Sequence, residues 1–362
     1  MERERPLRCL IATGGTAGHV LPSLAVAEAL TARGGCVTFA GSPDRAEARL
    51  VPEAGYELDT FRISGLPRTP GLALVRALAR AMRSPVACNR ILRRRQPDVV
   101  LGGGGYVAGP MVAAAAARRI PAALTEADAH LGLANRLAAP FARRVFLSFP
   151  IDGRDGPKYE VTGRPIPTQN RALDREEARG HFQLPLEGPV LLVTGGSLGA
   201  LPLNELAVES FGAIGPAVLH LCGERDYPAL RGRVTRDDYR LVPFTDRFGA
   251  ALGAADLALA RAGGSVWELA AAGLPAVLVP WPGAAADHQT ANARFFGRTG
   301  GVVVVPESDL GHATDVIRSL LGDARRLTQM RQAMLDTARP DAADRIADEL
   351  VALAETPAEA DR

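Results

Sequence analysis

The sequence predicts an α/β protein built from two doubly wound parallel sheets, with a helical tail after the second sheet. Three observations support this fold class. The chain of 362 residues is longer than one ordinary domain, and two domains of about 150–200 residues are expected. Short apolar runs alternate with helical patterns in both halves. A stretch rich in Gly, Pro and Asp at residues 150–169 interrupts the alternation and predicts a linker between the domains.

The first half contains seven runs with the length and composition of buried strands. They lie at residues 7–13, 36–40, 57–63, 99–101, 122–124, 145–148 and 160–162. Helices are predicted between them, at residues 20–30, 46–50, 107–118 and 131–139 among others. This alternation favours a parallel sheet with helices on both faces.

The second half repeats the pattern and then becomes helical. Its predicted strands lie at residues 190–194, 217–222, 239–243, 257–260, 276–280 and 302–305, with helices at 265–272 and 290–297 and from about 310 onwards. We expect Rossmann-like domains at residues 1–160 and 161–338, and a helix at 339–362 that returns to the first domain. Two such domains that face each other place the carboxyl ends of both sheets at one cleft.

Composition excludes several classes of protein. Apolar residues make up 47% of the chain and charged residues 23%, which is typical of a folded globular protein. No apolar run approaches the roughly 18–20 residues of a membrane-spanning helix, and none at the N-terminus is long enough for a signal peptide. The four cysteines are scattered, which predicts buried thiols in a reducing compartment. Residues 1–160 carry 22 basic and 14 acidic side chains, so the first half is positively charged.

Three glycine-rich loops follow predicted strands. They read TGGTAGH, LGGGGYVAGP and VTGGSLGA. None matches the dinucleotide fingerprint or the P-loop, and each alone could be a structural turn. Three such loops divided between two halves predict phosphate binding, with one phosphorylated ligand in each half.

Two further loops in the second half present polar groups at helix starts. Gly263, Gly264 and Ser265 open a helix and offer backbone N–H groups to a diphosphate. Glu268 lies one turn later, where a carboxylate can accept hydrogen bonds from a ribose; a glutamate favoured by the helix dipole is the alternative. Asp287, His288 and Gln289 begin another helix and suit sugar hydroxyls, or act only as a cap.

Taken in order along nearly the whole chain, the motifs carry a family resemblance. They are GGTAGH, ISGL, GGYVAGP, GLANR, GGSLGA, ELAAAGLPAVLVP and DHQTANA. This series resembles glycosyltransferase family 28, the peptidoglycan N-acetylglucosaminyltransferases with the GT-B fold. The resemblance implies an inverting transfer of N-acetylglucosamine from UDP-GlcNAc to the muramoyl 4-hydroxyl of lipid I, which gives lipid II. It also implies a peripheral enzyme at the cytoplasmic face of the bacterial membrane.

The resemblance assigns roles to individual residues. It places His19 close to the attacking hydroxyl, where an imidazole suits general-base work, and makes Glu126 the rival base. His19 could instead cap its helix or orient a phosphate. The implied donor-binding residues are Thr16, Ala17, Gly18, Asp128, Arg164, Ser197, Thr245, Gly263, Gly264, Ser265, Glu268, His288 and Gln289. The implied acceptor-binding residues are Gly14, Gly15, Gly104, Gly105 and Tyr106.

Several positions depart from the family pattern. Asp128 stands where the family has an asparagine, and Leu198 replaces a glutamine. Arg164 lies three residues earlier than the arginine of the family's G-N-P-V-R segment. Asp-x-Asp pairs and His/Cys clusters are lacking in the sequence, so we expect no metal or cofactor.

A basic stretch between Arg62 and Arg95 contains nine arginines and no acidic residue. Part of it has the pattern of a helix bounded by Pro70 and Pro85, with apolar residues on one side and Arg76, Arg80 and Arg83 on the other. Attraction to anionic lipid is about 1 kcal/mol for each basic residue near the surface. The stretch therefore predicts contact with an anionic membrane rather than nucleic acid, since aromatic residues are scarce; an ordinary surface helix is the alternative.

The sequence also leaves other functions open. A transferase of the same fold could act on another acceptor, because the departures lie in the sugar-binding region. A UDP-sugar-binding protein without catalytic activity is the alternative from another class; the presence of His19, Glu126, Glu268 and Gln289 argues against it.

Overall fold

The computed structural model describes residues 5–63 and 72–356, except for the side chains of residues 72–83. The chain divides into two compact units. Unit 1 comprises Met1–Pro167 together with Pro340–Arg362, and unit 2 comprises Thr168–Arg339.

Unit 1 contains a seven-stranded sheet whose pairings are all parallel. The strands are β1 (Arg8–Ala12), β2 (Cys36–Gly41), β3 (Glu57–Thr60), β4 (Val99–Gly102), β5 (Ala122–Glu126), β6 (Arg144–Leu147) and β7 (Tyr159–Val161). Their order is β3-β2-β1-β4-β5-β6-β7. The order reverses at β1, which makes the loops after β1 and β4 the natural place for a ligand.

Five helices of unit 1 precede the second sheet in the described part of the chain. They are α1 (Ala17–Ala32), α2 (Ala46–Glu53), α3 (Leu72–Arg95), α4 (Gly105–Ala117) and α5 (Leu133–Ala138). The central strand β1 lies between two apolar layers because Leu10 and Ile11 point to opposite faces and are both fully buried.

Unit 2 has the same architecture. Its strands are β8 (Val190–Thr194), β9 (Ala217–Leu221), β10 (Tyr239–Val242), β11 (Leu257–Ala260), β12 (Ala276–Leu278) and β13 (Val302–Val304), in the order β10-β9-β8-β11-β12-β13. Its helices are α6 (Arg175–His181), α7 (Leu201–Phe211), α8 (Tyr227–Leu230), α9 (Phe248–Ala254), α10 (Val266–Ala271), α11 (His288–Thr299), α12 (Leu310–Leu321) and α13 (Ala324–Thr337). The predicted fold class is confirmed, including every predicted strand and the helical C-terminal end.

The last helix, α14 (Ala342–Glu355), packs on α1 of unit 1. Ile346 and Leu350 are buried in the core that α1 shares with β1. Arg33, just after α1, pairs with Asp344 at 2.9 Å and with Asp348 at 2.8 Å.

The predicted linker at residues 150–169 is wrong for most of its length. β7 lies within it and pairs with β6, and Thr162 N–H donates to Leu147 O at 3.0 Å. Unit 1 therefore continues to Pro167 rather than ending at residue 160. The glycines and prolines of this stretch form turns around a short edge strand. Composition alone does not distinguish such turns from a linker between domains.

The predicted end of a helix at Pro85 is also wrong, since α3 continues through this proline to Arg95. A proline inside a helix removes one hydrogen bond. Burial of Cys88, Ile91 and Leu92 in the core beyond the proline offsets that loss, and Asn89 Nδ2 donates to Pro85 O at 3.0 Å. The side chains of Arg76, Arg80 and Arg83 lie outside the described residues. In the described part of the chain, no helix combines the length and apolar composition needed to cross a membrane.

Candidate functional site

The first group of expected site residues lies at the carboxyl end of the unit 1 sheet. The loop after β1 carries Gly14 and Gly15, and α1 begins at Ala17, just before His19. A buried carboxylate from α2, Glu47, holds this loop in place. Gly15 N–H donates to Glu47 Oε2 at 2.9 Å, and Ser42 N–H donates to Glu47 Oε1 at 2.8 Å. A Cβ on Gly14 would lie 2.2 Å from Glu47 Oε1, so a larger residue there would displace the carboxylate that holds the loop.

The loop after β4 packs directly against the loop after β1. Gly104 has a φ of +98°, and a Cβ there would lie 2.6 Å from His19 Nδ1. Gly105 has a φ of +75°, and a Cβ there would lie 2.1 Å from Gly14 O. Glycine is required at both positions by its backbone conformation and by this close approach. Tyr106 follows in the first turn of α4 and is 60% exposed.

His19 is half-buried, and its backbone carbonyl is bound by Thr13, which follows β1, and by Ser23 within α1. Thr13 Oγ1 lies 3.1 Å from His19 O, and Ser23 Oγ donates to His19 O at 2.9 Å. Desolvation lowers the pKa of the His19 imidazole, and the charge of Arg164 lowers it further, against the carboxylates of Asp128 and Glu47, which raise it. The imidazole is therefore neutral at neutral pH, which is the form that accepts a proton.

Arg164 follows β7 and is only 7% exposed. Its Nη2 group donates to Gly18 O, the carbonyl directly before His19. The structure thus brings Arg164 to the start of α1, beside the candidate base.

Glu126 lies at the end of β5 and is 5% exposed. Its Oε2 atom accepts hydrogen bonds from Gly132 N–H and Asn135 Nδ2, both at 2.9 Å, and its Oε1 atom accepts from Asp128 N–H at 3.2 Å. Burial raises the pKa of Glu126, whereas these three donors lower it. The carboxylate thus holds the loop between β5 and α5 in its conformation.

The remaining expected residues of unit 1 are available to solvent to different degrees. Thr16 and Gly18 are exposed, whereas Ala17 and Asp128 are half-buried. Asp128 is close enough to His19 to raise the pKa of its imidazole. The structure therefore brings Thr16, Ala17, Gly18, Asp128 and Arg164 together around His19.

The second group lies at the carboxyl ends of the unit 2 strands. The loop after β8 carries Ser197 and Leu198, which are both exposed. Gly199 contacts the next loop so closely that a Cβ would lie 2.0 Å from Cys222 O. Asn204 Nδ2 donates to the same Cys222 carbonyl at 2.8 Å and to Asp226 Oδ2 at 2.9 Å, which anchors the start of α7.

Glu268 lies in the first turn of α10, after the half-buried residues Gly263, Gly264 and Ser265. Ser265 is the N-cap residue of α10, and its side chain makes no capping hydrogen bond. Glu268 Oε1 accepts a hydrogen bond of 2.5 Å from Asn170 Nδ2, and Asn170 itself is buried. The carboxylate of Glu268 is thereby oriented by a side chain from the beginning of unit 2.

The loop after β12 is held by its own polar groups. Gln289 Oε1 accepts from Trp281 N–H at 2.9 Å, and His288 Nδ1 lies 2.8 Å from Ala285 O. Asp287 Oδ1 accepts from Thr290 Oγ1 at 2.6 Å. After β10, Thr245 Oγ1 accepts from Arg247 N–H at 3.0 Å.

Sequence reasoning missed three residues that orient the site, namely Glu47, Asn135 and Asn170. Asn135 lies within the quoted motif GLANR, so a signal for it was present. Glu47 and Asn170 act across 32 and 98 positions of the chain, and no local pattern marks them. Among the described residues, no three His, Cys, Asp or Glu side chains form a group that could hold a metal ion.

Comparison with known proteins gives a consistent result for both halves. Residues 9–147 match the model of the glycosyltransferase family 28 N-terminal domain, and residues 190–346 match the C-terminal domain of that family. A relative in Acidithiobacillus ferrooxidans is 42% identical over 93% of this chain and 95% of its own. A relative in Halorhodospira halophila is 43% identical over 93% and 96%. Both are named UDP-N-acetylglucosamine--N-acetylmuramyl-(pentapeptide) pyrophosphoryl-undecaprenol N-acetylglucosamine transferase.

Among solved structures, MurG of Acinetobacter baumannii is similar to this chain. The TM-score is 0.75 at 28% identity, and the similarity covers 96% of this chain and all of that one. The similarity therefore extends over both units.

Proposed function

The chain belongs to glycosyltransferase family 28, and from this premise we propose that it transfers N-acetylglucosamine from UDP-GlcNAc to the muramoyl 4-hydroxyl of lipid I, forming lipid II. The observation that carries the proposal is the identity of 42–43% with the named relatives over 93% of the chain. The similarity extends over both units.

His19 is the general base of the proposed reaction. The neutral imidazole takes the proton of the 4-hydroxyl while the oxygen attacks the anomeric carbon. The bond from that carbon to the diphosphate oxygen breaks, UDP leaves with the electron pair, and the configuration inverts. The neutral form is available because burial and Arg164 lower the pKa of His19.

Glu126 is better suited to holding a loop than to taking the proton. Its two oxygens already accept hydrogen bonds from Asp128, Gly132 and Asn135. Hydrogen bonds donated to the ionised carboxylate favour that form, so protonation of Glu126 during the reaction would weaken these three bonds. We therefore assign Glu126 to the geometry of the loop that carries Asp128.

The proposed donor site belongs mainly to unit 2. Glu268 accepts the hydrogen bonds of the ribose, and Ser197 with Gly263, Gly264 and Ser265 meets the diphosphate. Thr245, His288 and Gln289 complete this group for uridine and sugar. The residues proposed for the donor in unit 1 are Thr16, Ala17, Gly18 and Asp128. Backbone N–H groups at helix starts can stabilise the charge of the leaving UDP without a metal or cofactor.

The acceptor side is proposed for the loops after β1 and β4, with Gly14, Gly15, Gly104, Gly105 and Tyr106. The N–H of Gly15 is occupied by Glu47. An acceptor diphosphate would therefore use the N–H groups of the following residues at the start of α1.

We further propose that unit 1 rests on an anionic membrane at its cytoplasmic face, as a polyprenyl-linked acceptor requires. Two of the nine arginines between Arg62 and Arg95 are already paired within the protein. Arg94 and Arg95 both form ion pairs with Asp59, Arg95 at 2.7 Å. Exposed apolar residues on α5 and just after it also support the membrane proposal. Leu133, Leu137 and Phe141 are 70%, 67% and 50% exposed, and α3 and α5 both pack against α4.

The proposed function is tested with purified protein, UDP-GlcNAc and a lipid I analogue. We expect equal amounts of UDP and of the GlcNAc–MurNAc product, with and without EDTA. Release of UDP without the disaccharide, or transfer only to a different acceptor, would contradict the proposal. Binding of UDP-GlcNAc with no turnover would favour the UDP-sugar-binding alternative.

A further inference from the structure

The first turn of α1 has a backbone carbonyl without its usual helical partner. In an α-helix the carbonyl of residue 18 accepts a hydrogen bond from the N–H of residue 22. Residue 22 is a proline inside α1 and has no N–H. The Gly18 carbonyl therefore needs another donor, and it directly precedes His19.

Arg164 supplies that donor. Its Nη2 atom donates to Gly18 O and lies 3.8 Å from where a Cβ of Gly18 would be. The backbone that leads to Arg164 is fixed, because Thr162 N–H and Gly163 N–H both donate to Leu147 O at the end of β6. A nearly buried cation is thus placed against the turn that carries the candidate base.

We propose that Arg164 is a positioning residue for His19: its guanidinium completes the first turn of α1 at the Gly18 carbonyl and fixes the imidazole that takes the acceptor proton. The proposal depends on the proposed function only in one respect, namely that the proton taken by His19 comes from the acceptor hydroxyl. It replaces the donor-binding role that the family resemblance implied for Arg164, since the side chain is buried and donates to Gly18 O.

Charge and hydrogen bonding both contribute to this role. The positive charge next to His19 disfavours the imidazolium and acts in the same direction as desolvation. Displacement of a reacting group by about 1 Å can reduce a rate about 10²-fold, so the orientation of the turn matters for kcat.

The test uses two variants that separate charge from geometry. Arg164→Met removes both the hydrogen-bond donor and the charge. Arg164→Lys keeps the charge, on a shorter side chain that ends in a single ammonium group. Arg154→Met is the matched control. Arg154 lies between β6 and β7, whereas Arg164 follows β7, and Arg154 Nη1 donates to Tyr159 OH at 3.3 Å. Circular dichroism and thermal unfolding show that each variant is folded.

The first readout is the pKa of His19 in the free enzyme, obtained from ¹H–¹⁵N spectra with His19→Ala as the assignment standard. We expect the pKa to rise in Arg164→Met, to change little in Arg164→Lys and to stay unchanged in Arg154→Met. This titration needs no turnover, so it tests the proposal even if the protein does not use lipid I.

The second readout is kinetic. We expect kcat to fall by about 10- to 100-fold in Arg164→Met, with UDP affinity unchanged within about twofold, and a smaller fall in Arg164→Lys. An unchanged His19 pKa in folded Arg164→Met overturns the proposal. Weaker UDP binding with kcat preserved also overturns it and assigns Arg164 to the donor phosphates.

Discussion

The carboxylate of Glu47 accepts a 2.9 Å hydrogen bond from the backbone N–H of Gly15, in the loop that leads to His19. The same carboxylate accepts from Ser42 N–H at 2.8 Å, and its side chain is fully buried. A glycine loop expected to bind an anion is therefore fixed by an internal carboxylate of the protein.

Removal of this carboxylate should destabilise unit 1 and slow the reaction. Glu47→Ala leaves the buried N–H of Ser42 and the half-buried N–H of Gly15 without their acceptor, and each lost charge-assisted hydrogen bond costs about 1.5–3 kcal/mol. We expect a lower free energy of unfolding in urea and a lower kcat. Glu53→Ala is the matched control, because Glu53 lies on the same helix, is exposed and pairs only with Arg49 in the described structure; it should stay within about 0.5 kcal/mol. Equal stability of the two variants would contradict the assigned role of Glu47.

The acid limb of the rate profile should lie below the usual range of a histidine. Because the pKa of His19 is lowered, the imidazole stays deprotonated as pH falls past about 6.5. Activity should therefore be retained at pH 6.5 and be lost only at lower pH. An unperturbed histidine would place this limb near pH 6.5, and the buried environment of His19 moves it downwards. A kcat/KM profile over pH 4.5–8 measures it.

Replacement of the base gives the matching kinetic prediction. His19→Ala should lower kcat by about 10²- to 10⁴-fold and abolish the acid limb, with UDP affinity unchanged. Glu126→Gln retains an amide oxygen that can accept from Asn135, so its effect on kcat should be smaller. If Glu126→Gln removes the acid limb while His19→Ala keeps it, Glu126 is the base.

Donor affinity should depend on Glu268 and, more weakly, on Asn170. Loss of a charge-assisted hydrogen bond of about 1.5–3 kcal/mol predicts that Glu268→Ala raises the Kd of UDP about 10- to 100-fold. Asn170→Ala leaves the carboxylate in place without its orienting donor, so its Kd should rise less. Calorimetry with UDP measures both, and Asn89→Ala, an asparagine of unit 1, is the control. Unchanged UDP affinity in Glu268→Ala would show that the ribose assignment is incorrect.

Membrane binding should depend on the basic stretch and on the exposed apolar residues of α5. Replacing Arg76, Arg80 and Arg83 by Gln should release the protein from anionic vesicles, and Leu133→Ser with Leu137→Ser should weaken binding even at high salt. Replacing Arg325, Arg326 and Arg331 on α13 by Gln removes the same charge from unit 2 as a control. Co-sedimentation at low and high salt separates the two contributions, and equal binding of all variants would reassign α3 to an ordinary surface helix.

The order of strands and helices followed from the sequence by itself. Apolar runs such as those of β1 and β8 are buried on both faces of a parallel sheet, so their composition alone marks them. Glycines after these strands also indicated the loops at their carboxyl ends. Such loops need glycine where they approach each other closely: at Gly105, for example, a side chain would collide with Gly14 O. The series of motifs along both halves indicated the family.

Only the tertiary structure decided which groups hold those loops. Glu47 reaches Gly15, Asn170 reaches Glu268 and Arg164 reaches Gly18, across 32, 98 and 146 positions of the chain. Helical and strand periodicity reports which face of an element is buried, but it carries no information on which distant polar group meets a given backbone N–H or carbonyl. Pro22 leaves the Gly18 carbonyl without a helical donor, and the folded chain brings Arg164 to it.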